Sequence, residues 1–227
     1  DGLIDVVFCG QDGSLYLQQS SNMVWTQKAE SDSACQSGAL FDMDHDGDLD
    51  WFSTGAIGNE LIINNRDGTF RNAATEMGLI GSNGKQVLVY DLDNDRDLDV
   101  LVLNDGFPNN IWQNDRTWSY TDFPGLSDLR STSIAAVTVG DVDADGHAEI
   151  YGALEGGGIA VWRFDGAIWH RKDHIVQEAK ELGLADFDGD GRYDLLLTKN
   201  DGIEILDPLN GNSLYQYPIE AVESAIP

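Results

Sequence analysis

The chain has 227 residues, with 40 acidic against 13 basic side chains and a formal net charge of −27. That balance excludes nucleic acid, anionic membrane surfaces and polyanionic glycans as partners, because each contact would be repulsive, and it leaves cationic or neutral ones. A hydrophobic fraction of 41%, with 25 Gly and only 5 Pro, suits a compact all-β domain with short turns, and no apolar run reaches the length of about 20 residues that direct membrane insertion would need.

One acidic motif returns along the chain. A fragment, Asp1-Gly-Leu-Ile-Asp5, opens it. Four full nonapeptides follow: Asp42-Met-Asp-His-Asp-Gly-Asp-Leu-Asp50, Asp91-Leu-Asp-Asn-Asp-Arg-Asp-Leu-Asp99, Asp141-Val-Asp-Ala-Asp-Gly-His-Ala-Glu149 and Asp186-Phe-Asp-Gly-Asp-Gly-Arg-Tyr-Asp194. Measured at the fifth loop position, the copies stand at Asp1, Asp46, Asp95, Asp145 and Asp190, in steps of 45, 49, 50 and 45 residues. In the second unit, Gly38 to Phe41 reads as a strand, the acidic loop follows, and Leu49 to Thr54, Asn59 to Asn64 and Thr69 to Asn72 read as three more. The third unit repeats the order with Gln86 to Tyr90, Val100 to Leu103, Asn110 to Gln113 and Trp118 to Thr121. Four short strands per unit at this period predict an all-β fold, a β-propeller of four-stranded blades. Residues 1–227 read as one propeller domain or partial propeller, with repeats at about 1–34, 35–83, 84–132, 133–175 and 176–227. That gives about five blades. Either the ring closes with five, or further sequence completes one of six to eight blades; the cut-short opening motif implies an upstream strand and points to the larger ring.

The loop chemistry is that of a hard divalent cation. Ca²⁺ takes six to eight oxygen ligands, and carboxylates at alternate positions of a tight loop converge on one point. An EF-hand loop begins the same way but closes on a bidentate Glu at its twelfth position, between helices. Here the twelfth positions are Ser53, Val102, Gly152 and Leu197, and the last acid arrives at the ninth, before a β-prone run. Ordinary Asp/Gly turns have no need of alternating acids, which repel one another without a cation.

These residues make the chain similar to the FG-GAP/VCBS repeat family, the calcium-loop blades of integrin α-subunit propellers and of many secreted bacterial proteins. The resemblance spans essentially the whole chain and rests on the acidic loop, the Asp-Leu-Asp-hydrophobic strand after it, and segments such as Asn64-Asn-Arg-Asp-Gly-Thr-Phe70. It implies that the first, third, fifth and ninth side chains and the seventh backbone carbonyl hold the ion. The side-chain ligands would then be Asp42, Asp44, Asp46 and Asp50; Asp91, Asp93, Asp95 and Asp99; Asp141, Asp143, Asp145 and Glu149; and Asp186, Asp188, Asp190 and Asp194. The carbonyls would come from Asp48, Asp97, His147 and Arg192, for about four Ca²⁺ in all. Two departures stand out. Arg96 replaces the Gly expected at a positive φ, which weakens its loop, and Glu149 lengthens the ninth ligand by a methylene. The opening fragment, without its first and third ligands, forms no site.

Loops of this kind stay filled at millimolar calcium, which predicts an extracellular, cell-surface or periplasmic protein. Cys9 and Cys35 fall at the same end of adjacent units, and their pairing or freedom is left open by the sequence. Catalytic signals are thin. His170 and His174 would suit zinc on a helix, but their segment reads as a strand with Arg171 and Lys172 between them, and no nucleophile or phosphate-loop motif occurs. The six Trp read mainly as inter-blade packing, and His45 and His147 as exposed loop residues. The expected function is a non-enzymatic calcium-binding adhesion or binding module for a protein or neutral glycan ligand. Its partner surface would be the loops 53–58, 104–109, 154–158, 75–85 and 123–132, and substitution of Phe107 or of the Gly156–Gly158 run is expected to weaken partner binding. The alternatives are a scaffold domain of a secreted carbohydrate-active enzyme and a structural subunit of a larger chain or assembly.

Overall fold

Each acidic nonapeptide joins the first two strands of an antiparallel sheet, as its β-prone flanks require. The computed structural model describes residues 6–9, 15–19, 24–29, 34–106, 108–117, 119–175 and 177–218. Among them the fold is all-β, with four four-stranded antiparallel sheets, one three-stranded sheet and one short helix. The chain divides into two units, Asp1–Asp91 with Asp95–Leu126, and Leu92–Asn94 with Ser127–Pro227.

In the first unit, β1 (Val6–Cys9), β2 (Leu15–Gln19) and β3 (Val24–Ala29) form the three-stranded sheet. The next sheet runs through β4 (Cys35–Phe41), β5 (Asp50–Gly55), β6 (Asn59–Asn64) and β7 (Phe70–Asn72), and another through β8 (Gly84–Tyr90), β9 (Asp99–Asn104), β10 (Asn110–Asn114) and β11 (Tyr120–Asp122). β9 is buried at every position, as its unbroken apolar run demands. β4 lies against β8, and the Val87 N–H donates to Ser37 Oγ at 3.0 Å. Phe41, Phe52, Leu61, Ile63, Met77, Leu79, Val100, Val102 and Trp112 fill the core here, each large side chain contributing about 1.5–3 kcal/mol of apolar burial. Gly38 is required by this packing, since a Cβ there would stand 2.4 Å from the Trp51 ring. A disulfide joins Cys9, at the end of β1, to Cys35, at the start of β4.

The second unit opens with α1 (Ser127–Ser131), then places β12 (Ile134–Gly140), β13 (Glu149–Leu154), β14 (Ile159–Phe164) and β15 (Trp169–Ile175) in one sheet. The other holds β16 (Glu181–Ala185), β17 (Asp194–Thr198), β18 (Gly202–Leu206) and β19 (Ser213–Pro218). β12 lies against β16 as β4 does against β8, over a core of Val142, Tyr151, Ile159, Val161, Leu195, Leu197 and Leu206. Trp162 is buried, its Nε1–H donating to Asp128 Oδ2 at 2.9 Å with Arg171 over the ring, so α1 is pinned to this sheet.

The first strands begin earlier than the sequence pattern places them, at Cys35 rather than Gly38 and at Gly84 rather than Gln86. A bulge follows each new start, between Cys35 and Ser37 and between Gly84 and Gln86, and it absorbs the residue that spoils the alternation. His170 lies on a strand, β15, as expected, with Nε2 2.7 Å from Asp165 Oδ2. In each four-stranded sheet the antiparallel order puts the acidic turn and the turn between third and fourth strands at one end, and the remaining connections at the other.

Candidate metal centres

The four acidic turns share one backbone plan. The fourth and sixth residues of each are left-handed: His45 and Gly47, Asn94 and Arg96, Ala144 and Gly146, Gly189 and Gly191. Arg96, at φ 76°, therefore holds the strained conformation that the sequence implied. The first acid caps the turn: Asp42 Oδ1 and Oδ2 accept the N–H groups of Asp46 and Gly47, both at 3.1 Å, and Asp91, Asp141 and Asp186 each take the sixth residue's N–H in the same way. The ninth acid is buried and locks the turn to its sheet. Asp50 accepts from Met43 N–H at 3.0 Å and Asn64 N–H at 2.9 Å, Glu149 from Val142 N–H at 3.1 Å, and Asp194 from Phe187 N–H at 2.8 Å. Asp99 accepts from Asn114 N–H at 2.9 Å.

The result is four carboxylate clusters, Asp42–Asp44–Asp50, Asp91–Asp93–Asp99, Asp141–Asp143–Glu149 and Asp186–Asp188–Asp194, each with one oxygen per residue within 4.8 Å of the others. The fifth acids, Asp46, Asp95, Asp145 and Asp190, stand outside these clusters. Each turns Oδ1 to the seventh N–H, at 2.8 to 3.0 Å. Of the seventh residues, His147 packs edge-on to Phe164, and Arg192 folds back on Asp190 with Nη2 at 2.8 Å from Oδ2. Asp97 instead buries its side chain, and Asp48 buries its carboxylate oxygens.

Neighbouring basic groups gather on these turns, and sequence reasoning missed them. Arg66, in the turn after β6, contacts the Asp46 carbonyl and lies 4.0 Å from Asp48; Arg116, in the turn after β10, contacts Asp97 and reaches the Asp95 carbonyl at 3.3 Å. The available signal was an Asn-x-Arg triplet that starts on the last residue of β6 and of β10 and puts Arg66 and Arg116 20 and 21 residues after the fifth acid. His45, expected to be exposed, is so, and it also pairs with Asp97 at 3.0 Å.

The donors fit a hard cation on two grounds. They are all oxygens, and they are short of countercharge. Burial, reinforced by Asp46, pushes Asp48 up to about 6, and neither of its buried oxygens accepts a hydrogen bond. Burial pushes Glu149 up to about 7 in spite of Arg163, and it raises Asp44, Asp50 and Asp194 as well. A divalent ion would relieve these crowded, desolvated carboxylates.

Residues 42–102 and 91–152 match the model of the FG-GAP-like repeat. Over residues 42–152 the chain is built of FG-GAP-like repeats. No curated sequence matches it. Among solved structures, this chain is similar to an Agrocybe aegerita lectin that recognises non-reducing terminal N-acetylglucosamine, at 17% identity and a TM-score of 0.59, over 95% of this chain and 63% of the lectin. It also resembles an auxiliary nutrient binding protein from Bacteroides ovatus, at 12% identity and a TM-score of 0.58, over 94% of this chain and 54% of the other. The SapL1 lectin, solved with α-methyl fucoside, aligns at 13% identity and a TM-score of 0.56, over 95% and 75%. The chain thus spans little more than half to three quarters of the length of these relatives in fold.

Proposed function

We propose that the chain is a calcium-stabilised β-propeller module without catalytic chemistry of its own. In this reading its sheets are propeller blades, in a ring of five or as part of a larger one, and it binds a glycan or protein through the loops at the end away from the acidic turns. The observation that carries the reading is the fourfold recurrence of three convergent carboxylates. An ion in each cluster would tie the first strand to the second, and such a rigid scaffold is what displays binding loops. In this reading Asp42, Asp44 and Asp50 and their counterparts hold Ca²⁺, which supplies only charge and rigidity.

The relatives in fold include two lectins and a nutrient-binding protein, which supports a neutral glycan or protein ligand. At the end away from the acidic turns, Ile57 and Ile80 are 70% and 67% exposed on loops that meet at Gly58 and Gly81. In this reading the two side chains form part of the contact surface. Phe107, expected at the same surface, lies outside the described residues. The disulfide supports an extracellular, cell-surface or periplasmic setting, and no helix among the described residues is long and apolar enough to cross a membrane.

Calorimetric titration of metal-stripped protein with CaCl₂ is expected to show about one ion per cluster and a rise in melting temperature. Absence of binding at millimolar calcium refutes the reading. A glycan array probed with wild type and Ile57→Asp tests the surface. Loss of signal with an unchanged calcium titration supports it, whereas loss confined to substitutions of His45 or Ala144 moves the partner to the acidic turns.

A further inference from the structure

Arg163, on β14, pairs directly across from Glu149 in the β13–β14 register. Its Nε lies 3.3 Å from Glu149 Oε1 and its Nη1 3.0 Å from Asp143 Oδ2, so one guanidinium bridges two of the three carboxylates gathered by the third acidic turn. The first and fourth turns have nothing comparable. Among the described residues, no cationic side chain stands within ion-pair distance of Asp42, Asp44 or Asp50, nor of Asp186, Asp188 or Asp194, whose hydrogen bonds come from backbone N–H groups. Continuing the pairing registers of the other sheets by one residue puts Ile63, Gln113 and Asp207 opposite the ninth acid, where the third turn has Arg163.

We propose that Arg163 is a built-in cation of the third turn, which holds that turn in shape without metal and competes with the divalent ion, so that this site fills after those of the first and fourth turns. The proposal rests on the calcium reading above and deepens it. The longer ninth acid belongs to the same device. Glu149 keeps Oε2 on the Val142 N–H at 3.1 Å, while its buried Oε1 accepts no hydrogen bond and is met only by the guanidinium charge, with Nε at 3.3 Å. A guanidinium offers a planar fork of donors that spans two carboxylates, which an ammonium cannot do. An incoming divalent ion meets both a like charge and an Asp143 oxygen already hydrogen-bonded to it.

The test compares metal-stripped wild type with Arg163→Gln, which installs the residue found opposite Asp99, by calorimetric titration with CaCl₂ and by melting in EDTA and in calcium. Wild type should bind an ion at the third turn about ten-fold more weakly than at the first and fourth, and the variant should regain about that factor at one site. The metal-free variant should also melt lower than metal-free wild type. The two changes have opposite signs. A purely packing role for Arg163 would lower both melting curves and move no affinity, and that result, or equal sites in wild type, overturns the proposal. A wild type that binds no calcium overturns the calcium reading together with it, which separates the two failures. Should Arg163→Gln not fold, Arg163→Lys carries the same test, since it keeps the charge, cannot span both carboxylates, and should give an intermediate gain in affinity.

Discussion

The first and fourth acidic turns have nearly the same sequence plan and very different surroundings. Both place left-handed residues at the fourth and sixth positions and converge three carboxylates. In the first, Met43 is buried in the core, Asp50 holds the N–H groups of both Met43 and Asn64, and Arg66 and His45 tie the turn to its neighbours. In the fourth, Phe187 is 43% exposed, Asp186 and Asp188 are exposed, and Arg192 pairs within its own turn. Alternating acids decide what a turn can ligate. Its neighbours decide how much of the ligating shape exists beforehand.

The largest expected effect that would sharpen this contrast is calcium removal. At an ion concentration of 100 times Kd, each filled site adds about 2.7 kcal/mol to stability. On chelation, amides of 186–194 should lose more hydrogen-exchange protection than those of 42–50; equal losses would break the comparison. Next, in EDTA, Asp50→Ala should cost about 2–3 kcal/mol in urea unfolding, because it orphans two N–H groups, and Asp194→Ala about 1–2 kcal/mol. The second turn supplies a control on backbone shape. Arg96→Gly should stabilise the metal-free protein by about 1 kcal/mol in urea unfolding, since φ 76° costs Gly nothing. Smallest, Arg66→Ala should cost no more than about 1 kcal/mol, because the side chain is mostly exposed, yet it should raise amide exchange in 42–50 toward that of the fourth turn.

Local signals carried much of the fold. Asn59–Asn64 was legible as a strand to the residue, and the first, third and ninth acids were legible as convergent, because both patterns are set by neighbours a few positions apart. The turn of Asp46 and its counterparts toward the seventh N–H was not legible, since it depends on the left-handed fourth and sixth residues acting together. α1 hid in what read as a plain loop at 123–132; it exists where Leu129 can be buried and Asp128 can meet Trp162. The placement of His45, Arg66, Arg116 and Arg163 needed the register between strands distant in sequence. The Cys9–Cys35 bond was open for the same reason, as only the fold brings their Cα atoms to 6.2 Å.

That bond has a mechanical consequence. Because it joins the end of β1 to the start of β4, a pull applied upstream of Cys9 bypasses β2 and β3 and loads β4 directly. The stretch between the two cysteines, 26 residues apart in sequence, is then a slack loop under tension. Reduction would put it back in series with the load, adding roughly 85–95 Å of contour length before β4 feels force.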